Sequence, residues 1–176
     1  MKDFTYYAPT EVVFGKNSEE KIGKLVRKYG GTKVLVHYGG QSAIKSGLLD
    51  KTCKLLEEEG IPYVKLGGVV PNPRVSLVRE GIELCRKEGV DFLLAVGGGS
   101  VIDSLKAISV GVPYDGDVWD LYLKKAKATK YIPLGCILTI PAAGSEMSDG
   151  SVITNEDGGL KKDYCVDEFR CKFAIM

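Results

Sequence analysis

The 176-residue sequence holds a single histidine, His37, and its five cysteines (Cys53, Cys85, Cys136, Cys165 and Cys171) include no C-x-x-C pair. That scarcity argues against a zinc or iron site built from the chain's own imidazoles and thiolates, and an odd cysteine count reads as free thiols rather than a disulfide framework. Charge is also nearly absent in net terms. Lysine and arginine number 24 against 23 acidic residues, leaving +1, so no long-range field favours nucleic acid or an anionic membrane. No apolar run approaches membrane-spanning length and no signal-like stretch opens the chain, which reads as a cytoplasmic protein of one domain. His37 sits in an apolar strand pattern, where a structural role is expected.

Glycine, by contrast, is plentiful at 22 residues, and three in a row organise the chain. Phe92 to Val96 is a continuous apolar run of the kind a strand buried on both faces shows; Gly97, Gly98 and Gly99 interrupt it, and Val101, Leu105 and Ile108 then recur at helical spacing. A strand that breaks on glycines and restarts as a helix exposes backbone N–H groups at the positive end of the helix dipole, which suits a phosphate. Such turns also occur where nothing binds, but capping needs one glycine or none, whereas three let a ligand approach the backbone closely. Ser100 is expected as N-cap, with Asp103 as its capping-box partner. A carboxylate one turn into an anion site repels phosphate unless engaged, and Lys106, three residues on, can offset Asp103.

The same alternation runs along the chain. Phe4 to Tyr7 and Glu11 to Phe14 read as a hairpin at a sheet edge, and Asn17 with Glu20 as a capping box for a helix reaching Tyr29. A strand at Lys33 to Tyr38 ends in Gly39-Gly40-Gln41-Ser42, a helix carries Leu48, Leu49, Cys53, Leu55 and Leu56, and a strand at Tyr63 to Leu66 gives way to a loop from Gly67 to Pro73. A helix from Val75 to Glu88 leads into the central strand. Asp117 and its acidic neighbours around Trp119 suggest a short capped helix, and Lys124, Lys125, Lys127 and Lys130 a solvated loop. Ile132 to Ile140 reads as a strand ending in a turn of small residues through Glu146. Ser151 to Thr154 and Leu160 to Cys165 flank hairpin turn chemistry, and Lys172 to Met176 is a last strand. The fold class predicted is α/β, a Rossmann-like, mostly parallel sheet with helices on both faces plus a β-hairpin, its loops gathered at one edge. The final strand is expected to leave apolar surface for a further domain or a partner to cover.

The motifs Gly39-Gly40-Gln41-Ser42, Val70-Pro71-Asn72-Pro73, Ala95-Val-Gly-Gly-Gly-Ser-Val-Ile-Asp103-Ser-Leu-Lys106, Thr139-Ile-Pro-Ala-Ala-Gly-Ser-Glu146 and Val152-Ile-Thr-Asn occur in order. Over essentially the whole chain they resemble those of iron-containing (group III) alcohol dehydrogenases, and most of all the NAD(P)H-dependent butanol dehydrogenase branch. The resemblance implies a dehydroquinate synthase-like nucleotide-binding domain over residues 1–176. It implies that a C-terminal helical domain, which in the family binds Fe²⁺ or Zn²⁺ through one aspartate and three histidines, is absent here. No catalytic or metal-ligating residue then falls in this chain. The turn at Gly98, Gly99 and Ser100 would hold the cofactor pyrophosphate, Asp103 would lie near the nicotinamide end, and Asn72 and Thr139 match cofactor-contacting positions. Lys161 corresponds to a lysine near the nicotinamide ribose. An amide, a hydroxyl and an ammonium are each suited to ribose or carboxamide groups.

Relatives selective for NAD place an acid after the second strand, where it accepts from the ribose 2′-OH; Gly39, Gly40 and Ser42 stand here instead, implying that NADP is tolerated and preferred. Ala143 stands where many relatives have threonine. In the complete enzyme a small alcohol or aldehyde would exchange hydride with the nicotinamide, whereas this chain alone would bind nucleotide weakly and turn nothing over. Neither nucleic acid nor a membrane is implied as partner, and a homodimer is admitted. A dehydroquinate synthase-like lyase domain, which would want more basic pocket residues, and a non-catalytic nucleotide-binding module are the alternatives.

Overall fold

Apolar runs with no polar alternation are what a parallel sheet covered on both faces requires. In the computed structural model, which describes residues 3, 5 and 7–176, they become β1 (Glu11–Val13), β2 (Val34–Gly39), β3 (Tyr63–Val69), β4 (Phe92–Gly97) and β5 (Leu134–Leu138). A hairpin, β6 (Gly150–Asn155) and β7 (Leu160–Cys165), precedes β8 (Phe173–Ile175). The six-stranded sheet runs β1-β8-β5-β4-β2-β3 with every neighbour parallel, and β6 pairs antiparallel with β7 in a separate ribbon.

The helices are α1 (Ile22–Lys28), α2 (Ser42–Lys45), α3 (Leu48–Glu58), α4 (Val75–Glu88), α5 (Gly99–Gly111) and α6 (Val118–Tyr122). Strand pleating sends alternate side chains to opposite faces. Leu35, Leu93 and Ala95 pack with Val78 and Ile82 of α4 and Ile102 and Leu105 of α5; Val34, Val36, Phe92 and Leu94 pack with Ile22 and Val26 of α1 and Leu49 and Leu56 of α3. Two cores therefore sandwich the sheet, as the expected fold class requires. Helix α4 has the expected limits and stops at Gly89, whose φ of 65° reverses the chain without a Cβ penalty. Asp117 caps α6 as expected, accepting from Trp119 N at 2.8 Å.

Four local expectations fail. Asn17 makes no side-chain cap; a 3-10 turn over Ser18–Lys21 precedes α1 instead. Gly67 and Gly68 continue β3 rather than opening a loop, because β2 extends far enough to pair Gly39 with Val69. β1 does lie at a sheet edge, but its neighbour is β8, in parallel; Phe4 and Tyr6 of its proposed hairpin partner lie outside the described residues. Finally, β8 is not an uncovered last strand. It inserts between β5 and β1, where Phe173, Ala174 and Ile175 are buried and Phe173 stacks on Phe92 with ring centroids 5.8 Å apart. Among the described residues no helix is long and apolar enough to cross a membrane.

Candidate functional site

Parallel register brings the C-terminal ends of neighbouring strands to one edge. Tyr38 pairs with Val96 and Gly97 with Leu138, and Thr139 N donates to Gly97 O at 3.1 Å. The turns after β2, β4 and β5 therefore open side by side, at the position where open α/β sheets bind ligands.

The glycines of the central turn differ from one another. A Cβ on Gly97 would fall 2.5 Å from Val101 Cγ2, so that glycine serves the packing of α5 against β4. At Gly98 and Gly99 the nearest atoms to a Cβ lie 4.0 and 3.9 Å away, and neither residue has a left-handed φ. Neither packing nor backbone conformation demands glycine there. What the missing side chains leave is bare backbone at the start of α5, bordering a cleft of about 470 Å³.

Asn72 and Pro73 line that cleft from beyond β3; Gly99, Ser100 and Asp103 from α5; Ala142, Ala143 and Ser145 from the turn after β5; and Val152 and Lys161 from the hairpin. Of the residues expected at the site, Asn72, Gly99, Ser100, Asp103 and Lys161 thus meet in one cleft, with Gly98 directly before. Gly39, Gly40, Ser42 and Thr139 sit along the same sheet edge but outside the cleft wall. Asn72 takes a left-handed φ of 57°, which asparagine tolerates, and its Oδ1 accepts from Lys161 Nζ at 2.7 Å.

The capping box expected at Ser100 and Asp103 does not form. Gly98 is the N-cap, no side chain caps α5, and Ser100 lies inside the helix. Asp103 is engaged elsewhere: Oδ1 accepts from Ser145 Oγ at 2.5 Å and Oδ2 from Val152 N at 3.1 Å. Burial raises its carboxyl above the usual aspartate range, opposed chiefly by the Ser145 hydrogen bond and the Lys106 charge.

Lys106 does not reach Asp103 directly. Its side chain is fully buried, with Nζ donating to the carbonyls of Ser145 (2.7 Å), Ser148 (3.0 Å) and Gly150 (2.7 Å) and lying 3.2 and 3.1 Å from the Ser145 and Ser148 hydroxyls. Helical spacing alone misses this, as it misses Ser145; the turn that carries these oxygens comes from a distant part of the chain. The only signal was a lysine that, with Asp103, is one of two charged residues in a helix of apolar and small residues. His37 is structural as expected: Nδ1 meets Leu66 O at 2.8 Å and Nε2 meets Ser104 Oγ at 2.9 Å, and burial pushes its pKa down to about 4. Cys53, Cys85, Cys136 and Cys171 are free and buried, and Cys165 is free and exposed. Among the described residues no group of three or more His, Cys, Asp or Glu could hold a metal ion.

Residues 9–176 match the family model described as iron-containing alcohol dehydrogenase. The chain is 52% identical over its whole length to a probable NADH-dependent butanol dehydrogenase 2 of Bacillus subtilis and 44% identical to NADH-dependent butanol dehydrogenase A of Clostridium acetobutylicum. It spans about 45% of the length of each of these curated relatives. Among solved structures, an NADH-dependent butanol dehydrogenase A from Thermotoga maritima superposes with a TM-score of 0.96 at 41% identity, over 99% of this chain and 44% of that one.

Proposed function

The chain belongs to the iron-containing alcohol dehydrogenase family, and on that premise we propose that its cleft holds a nicotinamide dinucleotide. Residues 1–176 then form the NAD(P)-binding domain of an enzyme interconverting primary alcohols and aldehydes of butanol type. The observation that carries this reading is the pair Gly98 and Gly99, glycines that the chain's own packing does not need, at the head of a 13-residue helix.

Each cleft residue has work to do in this reading. Gly98, Gly99 and Ser100 present N–H groups and the helix dipole to a pyrophosphate. The repulsion expected from Asp103 is met by engagement, since Ser145 and Val152 N occupy its two oxygens and Lys106 stands behind them. Its remaining lone pairs can accept from a ligand hydroxyl or amide. Lys161, held by Asn72, supplies a cation at the hairpin wall. The bound dinucleotide supplies the hydride carrier, and the protein supplies orientation and electrostatics. The family description names iron, but the described residues offer no cluster to hold Fe²⁺ or Zn²⁺. On this reading the ligands of such a metal lie outside residues 1–176.

No acidic residue occurs between Gly39 and Leu49, and a Cβ on Gly40 would meet no atom within 4 Å. A 2′-phosphate would meet neither negative charge nor bulk there, which supports NADP as the favoured cofactor with NAD admitted. The names of the two curated relatives pull towards NADH. Fluorescence titration of the purified chain with NADPH and NADH tests both points. Saturable binding that does not respond to Fe²⁺ or Zn²⁺, tighter for NADPH, is expected; no binding to folded chain would overturn the reading. The alcohol dehydrogenase matches leave the lyase alternative without support. On the family premise we also propose a cytoplasmic protein, apart from nucleic acid and membranes, and light scattering of the purified chain tests the homodimer that the family resemblance admits.

A further inference from the structure

A buried ammonium is costly unless every proton finds a partner. Lys106 has three protons and five oxygens within 3.2 Å, all contributed by the stretch Ser145 to Gly150. Carbonyl oxygens crowd together poorly without a positive charge between them. The ammonium is thus an internal cation, tethered to α5, around which this turn is wrapped.

One of the five oxygens reaches the cleft. Ser145 Oγ accepts from Lys106 Nζ at 3.2 Å, which directs its single proton to Asp103 Oδ1 at 2.5 Å. Two residues beyond the cage, Val152 N holds the other carboxylate oxygen, and Ser151 Oγ donates to the backbone carbonyl of Asp103 at 2.8 Å. The carboxylate is therefore held entirely by a segment whose path is set by Lys106.

We infer that Lys106 and Ser145 are positioning residues of the cleft: the caged ammonium fixes the turn and the direction of the Ser145 hydroxyl, and that hydroxyl aims the Asp103 carboxylate at the bound ligand. The inference rests on the nucleotide reading above and deepens it. Neither residue need touch the ligand for its loss to weaken binding, because the effect passes through Asp103.

A double-mutant cycle tests this on the full 176-residue chain, with NADPH as probe and thermal midpoints measured in parallel. Ser145→Ala leaves the ammonium its three carbonyls and the Ser148 hydroxyl; it is expected to weaken NADPH binding about tenfold, the loss of one hydrogen bond to a charged group. Lys106→Met is expected to weaken it at least as much. Combined with Asp103→Ala, either substitution should add little beyond Asp103→Ala alone, since nothing is left to aim. A purely structural role would lower thermal midpoints while the losses in affinity multiplied. Multiplying losses, or single variants that bind like the parent, would overturn the inference. Should Lys106→Met fail to fold, the Ser145 and Asp103 cycle decides by the same criteria. A parent chain that is folded but binds no NADPH overturns the nucleotide reading, and this inference with it.

Discussion

Lowering the pH from 7 to 5 should destabilise this protein by about 2 kcal/mol through His37 alone. The Leu66 carbonyl can only accept, so Nδ1 carries the imidazole proton and Nε2 accepts from the Ser104 hydroxyl. A second proton would put a charge into the desolvated core, and that burial lowers the pKa from 6.5 to about 4, with the hydrogen bond to the Leu66 carbonyl opposing it in part. The unfolded chain binds a proton between those two values that the native chain refuses. Stability from this group is therefore complete above pH 6.5, falls as the pH drops and levels off below about 4, for a total near 3 kcal/mol. Glu11, Glu19, Glu88 and Asp91, whose pKa values are lowered, add their own losses at more acidic pH, while Asp103, raised by burial, acts in the opposite sense. Urea unfolding of the parent and of His37→Gln at pH 7, 6 and 5 separates the contributions. The variant will be the less stable at pH 7, but its loss between pH 7 and 5 should be smaller by about 2 kcal/mol. Because His37 is the only histidine, its imidazole resonance is unambiguous in a native-state NMR titration. A midpoint near 6.5, or equal pH slopes for the two proteins, would refute the reasoning.

The glycine turn offers a contrast of neighbours. Gly98→Ala has space for its methyl group, so its unfolding free energy in urea should stay within about 1 kcal/mol of the parent's while NADPH affinity falls sharply. Gly97→Ala would drive a methyl group into Val101 and should lower the unfolding midpoint in urea. Phe173→Ala removes the fully buried ring that stacks on Phe92 and should cost roughly 3–5 kcal/mol by the same assay, which also tests the insertion of β8 into the sheet. Finally, the purified chain should reduce no butyraldehyde with NADPH in a spectrophotometric assay; steady turnover by monodisperse chain would contradict the assignment of metal ligands to residues outside 1–176.

The layer architecture can be read from the residues in order, because hydrophobic period is a local property. Unbroken apolar runs specify strands covered on both faces, the 3.6-residue stripe from Val75 to Glu88 specifies α4, and Asn-Glu-Asp-Gly-Gly specifies the β6–β7 turn. Gly97 to Ser100 was legible as a break from strand to helix, because three glycines interrupt the apolar run, and the ordered motifs carried the family. Which strands are neighbours emerged only from the folded chain. β8 entered between β5 and β1, although its three residues say nothing of a partner, because pairing depends on surfaces brought together from distant segments. Tertiary contact likewise overrode local capping at Asp103, whose oxygens found Ser145 and Val152 N more than forty residues away. It separated Gly97, needed for packing, from Gly98 and Gly99, which stand bare. Lys106 is the clearest case: a lysine read from its helix alone belongs in water, and only the carbonyls of a turn folded over α5 make a buried ammonium affordable.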